Sequence, residues 1–194
     1  MRRGTRWAVV SVVSMLAIAG CTGDSEDPPT TPSPTSPAAS PSETASPTPT
    51  PDAAAPPERP DMSQVDAATA EAVATYFLEL YPYVYATGDL TEWKALSHPE
   101  CIFCASVISN VEEMVAKGNS ASGGNITANI TAAELSPGTF AISGSVDQEA
   151  GVEYDGDGSA IGESSGGSYE AAMNVLGTPA GWQIRAVEFR EPAA

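Results

Sequence analysis

Gly124-Asn125-Ile126-Thr127-Ala128-Asn129-Ile130-Thr131-Ala132 is where the period of the chain changes. Ile126, Ala128, Ile130 and Ala132 alternate with Thr127, Asn129 and Thr131, so the apolar set shares one face of a strand. The sequons at Asn125 and Asn129 follow from the same alternation. Before this stretch apolar residues recur at helical spacing, and after it the period of two returns. Helices first and strands afterwards predict an α+β domain over 61–194, with N-terminal helices packed on one curved antiparallel sheet.

Upstream, Val73, Tyr76, Phe77, Leu80, Tyr83 and Val84 lie on one helical face. Tyr76 and Tyr83 are read as core residues on that face. Pro82 lacks a backbone donor and predicts a kink or an early end near Tyr81. Gly88 closes the segment. Asp89-Leu90-Thr91-Glu92 has the form of a capping box, with Asp89 accepting from the first turn and Glu92 reaching back. The short helix it starts should bury Leu90, Trp93 and Leu96. A third helix is expected from Pro99, suited to the first helical position, and Glu100, suited to the positive end of the dipole. It should run to about Lys117, with Cys104, Ile108, Val111 and Val115 on one face and Gly118 as its stop.

Downstream, Pro137-Gly138 and Asp155-Gly156-Asp157-Gly158 are turn signals. Phe140, Ile142 and Val146 predict a second strand face. Tyr169, Ala171, Met173 and Val175 predict another, and Trp182, Ile184 and Ala186 a last one that ends near Phe189.

Residues 22–60 are Pro, Thr, Ser, Ala and acids, with no apolar face and no aromatic residue. Such a segment cannot bury enough surface to offset chain ordering, so 21–60 is expected to be a disordered tether. Fully extended it would reach on the order of 100 Å, at about 3.1 Å per residue. Ahead of it, Arg2, Arg3 and Arg6 form a positive n-region. Trp7 to Ile18 is an apolar run of signal-peptide length, too short to span a bilayer comfortably. Ile18-Ala19-Gly20-Cys21 resembles the bacterial lipobox, in which the cysteine takes a diacylglyceryl group and the signal is cut just before it. The resemblance implies a lipoprotein signal peptide over 1–20, cleavage between Gly20 and Cys21, and lipidation of Cys21, with palmitate among its acyl groups. Two or more acyl chains give stable anchoring. The expected location is the extracytoplasmic side of the cell membrane.

The formal charge is −17 over 194 residues. The three arginines before Cys21 have no acid among them, so their removal leaves the remainder more negative still. A chain of this sign repels phosphate backbones and anionic headgroups, which argues against nucleic-acid partners and against polybasic membrane binding.

The run Ala86-Thr87-Gly88-Asp89, followed by Leu96-Ser97-His98-Pro99-Glu100-Cys101-Ile102-Phe103-Cys104, is similar to an actinobacterial family of lipoproteins of unknown function with a nuclear transport factor 2-like domain. The likeness covers about 61–189. It implies that cone-shaped fold and an envelope address, and no activity.

Four constellations invite chemistry. Cys101 and Cys104 stand at a helix start, where a thiolate is favoured and thiol–disulfide exchange is conceivable. No strand precedes them and Ile102-Phe103 lacks the Gly-Pro of a thioredoxin site. An exported pair is therefore read as a structural disulfide. His98 would extend the pair towards zinc, but a fourth ligand is missing, and a role spanning the helix start is preferred. Asp155-Gly-Asp157-Gly-Ser159 suggests calcium, yet Ala160 and Gly166 stand where an EF-hand needs Gly and Glu. A loose site using Asp147, Glu149, Glu153, Asp155 and Asp157 is the alternative. Finally, an enzyme of the cone fold would place an acid, a His or a Tyr inside. The sequence does not rank Tyr76, Tyr83, Tyr85, Tyr154 and Tyr169 for that position. No cofactor motif and no catalytic set emerge. The expectation is a non-enzymatic domain that binds a small apolar ligand or a cell-envelope protein, against an isomerase or dehydratase using a buried carboxylate.

Overall fold

The computed structural model describes residues 55–192. The expected signal peptide, the Cys21 anchor and most of the tether lie outside the described residues.

Three helices come first: α1 (Ala67–Thr87), α2 (Thr91–Leu96) and α3 (Ile102–Ala116). Seven strands follow: β1 (Ser120–Gly123), β2 (Ile126–Ser136), β3 (Thr139–Gln148), β4 (Gly151–Tyr154), β5 (Ala160–Ser164), β6 (Gly167–Thr178) and β7 (Gly181–Arg190). The domain is α+β, with every strand pair antiparallel. The strands form two sheets rather than the one expected. Four make a meander in the order β2-β3-β6-β7, and the excursion between β3 and β6 joins β1 in a small sheet ordered β1-β4-β5. The short strand β1 is Ser-Ala-Ser-Gly and carries no apolar alternation, so its sequence gives no strand signal.

Asp66 caps α1, its Oδ1 accepting from the Thr69 amide at 2.8 Å. The helix does not end near Tyr81 but runs through Pro82 to Thr87. The proline removes one donor from the ladder. Buried Leu80 and Val84 hold the last turns on the core, and Gly88, at φ 74°, closes them by donating to the Val84 carbonyl. Asp89 does accept from the Thr91 amide at 3.0 Å. Glu92 does not complete the expected box: its carboxylate turns to the Tyr76 hydroxyl at 3.4 Å and to Arg59 at 3.1 Å. The Trp182 indole also donates to the Met62 carbonyl at 3.1 Å. Residues 59–62 are thus pinned to the domain at two points.

Pro99 and Glu100 lie in a turn ahead of α3, which starts at Ile102 with Cys101 as its cap. The phase differs from the expected one. Cys104, Val107, Val111 and Met114 face inward, while Val115 is 50 % exposed. Phe77 and Trp93 stack at 4.0 Å between α1 and α2. Leu90, Trp93 and Leu96 are buried as expected.

The strand faces follow the alternation. Ile130, Phe140, Ile142, Val146, Ala171, Met173, Val175, Trp182 and Ile184 are buried in one core with the helices. Burial of each large aliphatic side chain contributes roughly 1.5–3 kcal/mol. The gap in the β3 alternation is Gly144, where a Cβ would meet the Asn129 carbonyl at 2.2 Å, so a side chain there would push β2 away. Ala186 is a correction. Val175 pairs with Ile184 and Asn174 with Ala186, so Arg185 is an extra residue in β7. This bulge turns Ala186 outward and brings Val187 and Phe189 to the inner face.

Candidate functional site

Helices and four-stranded sheet leave an apolar pocket of about 140 Å³ between them. Each element supplies part of its wall. Leu78 and Tyr81 come from α1, Trp93 from α2, Phe103 from α3 and Ile126 from β2. Val146 and Gln148 come from β3, Tyr169 from β6 and Phe189 from β7. The rings form one connected set. Tyr81 lies 6.3 Å from both Trp93 and Phe103, Phe103 lies 5.5 Å from Phe189, and Phe189 lies 6.3 Å from Tyr169. Burial pushes the Tyr81 phenol well above its usual range, with the Tyr85 phenol beside it adding to the effect. It therefore stays neutral at physiological pH. Tyr81 and Tyr85 approach at 4.9 Å.

Tyr81, Gln148 and Tyr169 belong equally to a wider groove of about 570 Å³ that continues outward between α1, α3 and the small sheet. Glu113, Lys117, Glu153 and Glu163 line that groove. Lys117 pairs with Glu113 at 2.7 Å. Glu153 accepts from the Asn119 side-chain Nδ2 at 3.0 Å. Among the described residues neither Glu153 nor Glu163 has a Lys or Arg within ion-pair distance. A larger hollow, about 710 Å³ between α1 and β1, holds Tyr83 and Tyr154, but its one charged group is Glu79. Its Ser122 hydroxyl meets the Tyr154 hydroxyl at 3.5 Å, but the hollow lacks the connected set of rings that walls the smaller pocket.

Of the five unranked tyrosines, Tyr169 reaches the pocket. Tyr76 is buried, its hydroxyl facing Glu92, and its pKa is raised by burial first and by that carboxylate second. Tyr83 is only half-buried and donates to Asp89 at 3.0 Å. Tyr81, which lines pocket and groove alike, is missed by the sequence reading. The signal was present in the four-residue steps Phe77, Tyr81 and Tyr85, overshadowed by Pro82.

No carboxylate or imidazole lines the pocket, and no polar or charged side chain is buried among the described residues. His98 sits at the helix start instead. Its Nδ1 accepts from the Glu100 amide at 3.1 Å, its own amide donates to the Ile184 carbonyl at 3.0 Å, and its carbonyl accepts from Cys101. It thus joins the start of α3 to β7.

Cys101 and Cys104 are a pair at disulfide distance, their sulfurs 1.99 Å apart. They are 2 % and 0 % exposed. Thiol–disulfide exchange needs a thiolate to approach a sulfur, and this burial closes the approach. Among the described residues no three metal-binding side chains converge. The acids considered for calcium are dispersed: Asp147 accepts from Ser168, Glu149 from Asn125, and Asp155 from the Asp157 and Ser159 amides of its own turn.

No curated protein matches the chain in sequence. Among solved structures, the intermembrane space region of the chloroplast protein ARC6 is similar, with a TM-score of 0.51 and 10% identity over 66% of this chain and 99% of that one. A putative calcium/calmodulin dependent protein kinase II association domain from Xanthomonas campestris gives a TM-score of 0.40 and 15% identity over 70% of this chain and 96% of that one. The first likeness is one of fold alone. In sequence, residues 31–188 match the family of unknown function DUF6318. The chain belongs to that family.

Proposed function

We propose that the domain is a non-enzymatic binding module that takes a small apolar group into the ring-lined pocket. The observation that carries this reading is the pocket wall, made of five rings and three aliphatic side chains with Gln148 as its one polar non-aromatic member. A wall of this kind can exclude water from a ligand, and it carries no carboxylate or imidazole, its hydroxyls being those of Tyr81 and Tyr169. A cavity near 150 Å³ lined by apolar side chains accommodates a molecule the size of benzene. The element order, helices and then a curved sheet around a pocket, supports assignment to the nuclear transport factor 2-like cone. The lipobox-like Ile18-Ala19-Gly20-Cys21 supports attachment to the outer face of the cell membrane through lipidated Cys21, with the Pro-rich segment as a spacer.

Calorimetric titration of the full chain with benzene tests the binding reading. We expect saturable one-to-one binding with a negative heat-capacity change, the mark of apolar burial. The variant Val146→Trp, which fills the space, should lose it. Absence of saturable binding in the parent chain would contradict the reading.

A further inference from the structure

We infer that the ligand group this pocket selects is a quaternary ammonium, a cation with no N–H of its own. This deepens the binding reading above and rests on it. The chain is only 7% aromatic, yet Tyr81, Trp93, Phe103, Tyr169 and Phe189 converge on one small pocket. Ring faces attract cations through their quadrupoles, and the attraction grows where water is excluded.

The polar inventory narrows the class further. A primary ammonium brings three donors, and each buried without an acceptor carries a desolvation penalty. The pocket holds no carboxylate, and its acceptors are all neutral: the Gln148 amide oxygen and the hydroxyls of Tyr81 and Tyr169. A trimethylammonium group needs no acceptor and presents methyl surface to Leu78, Ile126 and Val146. Outside the pocket, the groove that shares Tyr81, Gln148 and Tyr169 carries three carboxylates, Glu113, Glu153 and Glu163, against one cation, Lys117, which pairs with Glu113. Those carboxylates favour a positive charge at the mouth and disfavour an anionic tail. The formal charge of −17 acts in the same sense at long range. The class is therefore a small trimethylammonium compound with a neutral polar remainder.

The test compares choline with its neutral carbon isostere, 3,3-dimethylbutan-1-ol, on the full chain by calorimetry. The two share size and methyl surface and differ in charge. We expect choline to bind about tenfold or more tightly, the equivalent of one or two desolvated cation–π contacts. Glu153→Gln with Glu163→Gln should weaken choline about threefold at low salt, leave the isostere unchanged, and lose that difference in high salt. Tyr169→Leu should weaken choline more than the isostere, while Tyr169→Phe, which keeps the ring, should retain both. The Leu variant's melting curve shows whether it is folded. Equal binding of the two ligands overturns the inference and leaves the apolar pocket standing. Binding of benzene without choline does the same. Failure of all three ligands overturns inference and pocket together.

Discussion

The indole Nε1 of Trp93 donates to the carbonyl of Cys104 across 3.2 Å of buried interior. That bond ties α2 to the first turn of α3. The same indole stacks on Phe77 and is part of the pocket wall. Trp93→Phe removes the donor and part of the packed volume, so it should destabilise the domain by about 2 kcal/mol. Urea unfolding measures this, and an unchanged midpoint would show that the contact carries no weight.

The cysteine pair makes a second prediction. Cys101 also caps α3, its sulfur accepting from the Cys104 amide at 3.1 Å. A loop this short contributes little closure entropy, so Cys101→Ala with Cys104→Ala should cost about 2 kcal/mol without abolishing folding. In the native chain neither sulfur should react with glutathione or an alkylating agent, and both should react once denaturant and reductant are present. Reduction of the folded chain by glutathione would restore the exchange reading.

Ionisation gives predictions on both sides of neutrality. Hydrogen bonds from Thr91, followed by that from Tyr83, hold Asp89 below its usual carboxylate value. A depressed folded pKa contributes stability that is present above the unfolded value near pH 4 and lost as pH falls through the folded one. Asp89→Asn should flatten that acid-side loss. Tyr81 behaves oppositely, because burial raises its folded pKa. Its contribution is full below the unfolded value near pH 10 and is lost as pH rises above it. Tyr81→Phe should therefore move alkaline unfolding upward. In the parent chain, titration followed at the phenolate absorbance should show Tyr81 silent until the fold opens.

A boundary prediction follows from Arg59 and Met62. Deletion of 24–58 should leave the melting temperature unchanged, since Arg59 still reaches Glu92 and the Met62 carbonyl still accepts from Trp182. Extending the deletion through 62 removes both contacts and should lower it by several degrees, at about 4–8 °C per kcal/mol for domains of up to about 100 residues and less for larger ones. Equal melting of the two deletions would show that the segment is passive. For the anchor, Cys21→Ala should abolish labelling with palmitate and release the chain to the medium. Retention of label on the membrane would refute the lipobox reading.

Much of the scaffold is legible in the residues, because burial on one face imposes a period. Ile126 to Ala132, Phe140 to Val146 and Tyr169 to Val175 take their faces from alternation alone. What escapes is set by tertiary packing. The bulge at Arg185 shifts Ala186 outward, and no local signal separates Ala186 from Val187. Helix α1 continues past Pro82 because the core holds Leu80 and Val84. Met114 rather than Val115 lies on the inner face because α3 turns the stripe of Cys104, Val107 and Val111 to the core, a choice that tertiary packing makes. The pocket is least legible of all. Its rings lie on α1, α2, α3, β6 and β7, more than a hundred residues apart at the extremes, and only the fold assembles them. Tyr169 stood among candidates the sequence could not rank, and Tyr81 beside a proline gave no reason to be chosen.

The central claim is that this assembled pocket binds. Methyl NMR of the full chain titrated with benzene tests it most directly. Saturating shifts at Leu78, Ile126 and Val146, with none at exposed Leu135 and Ile161, are the expected result. Shifts that fail to saturate, or that appear equally at Leu135 and Ile161, would contradict it.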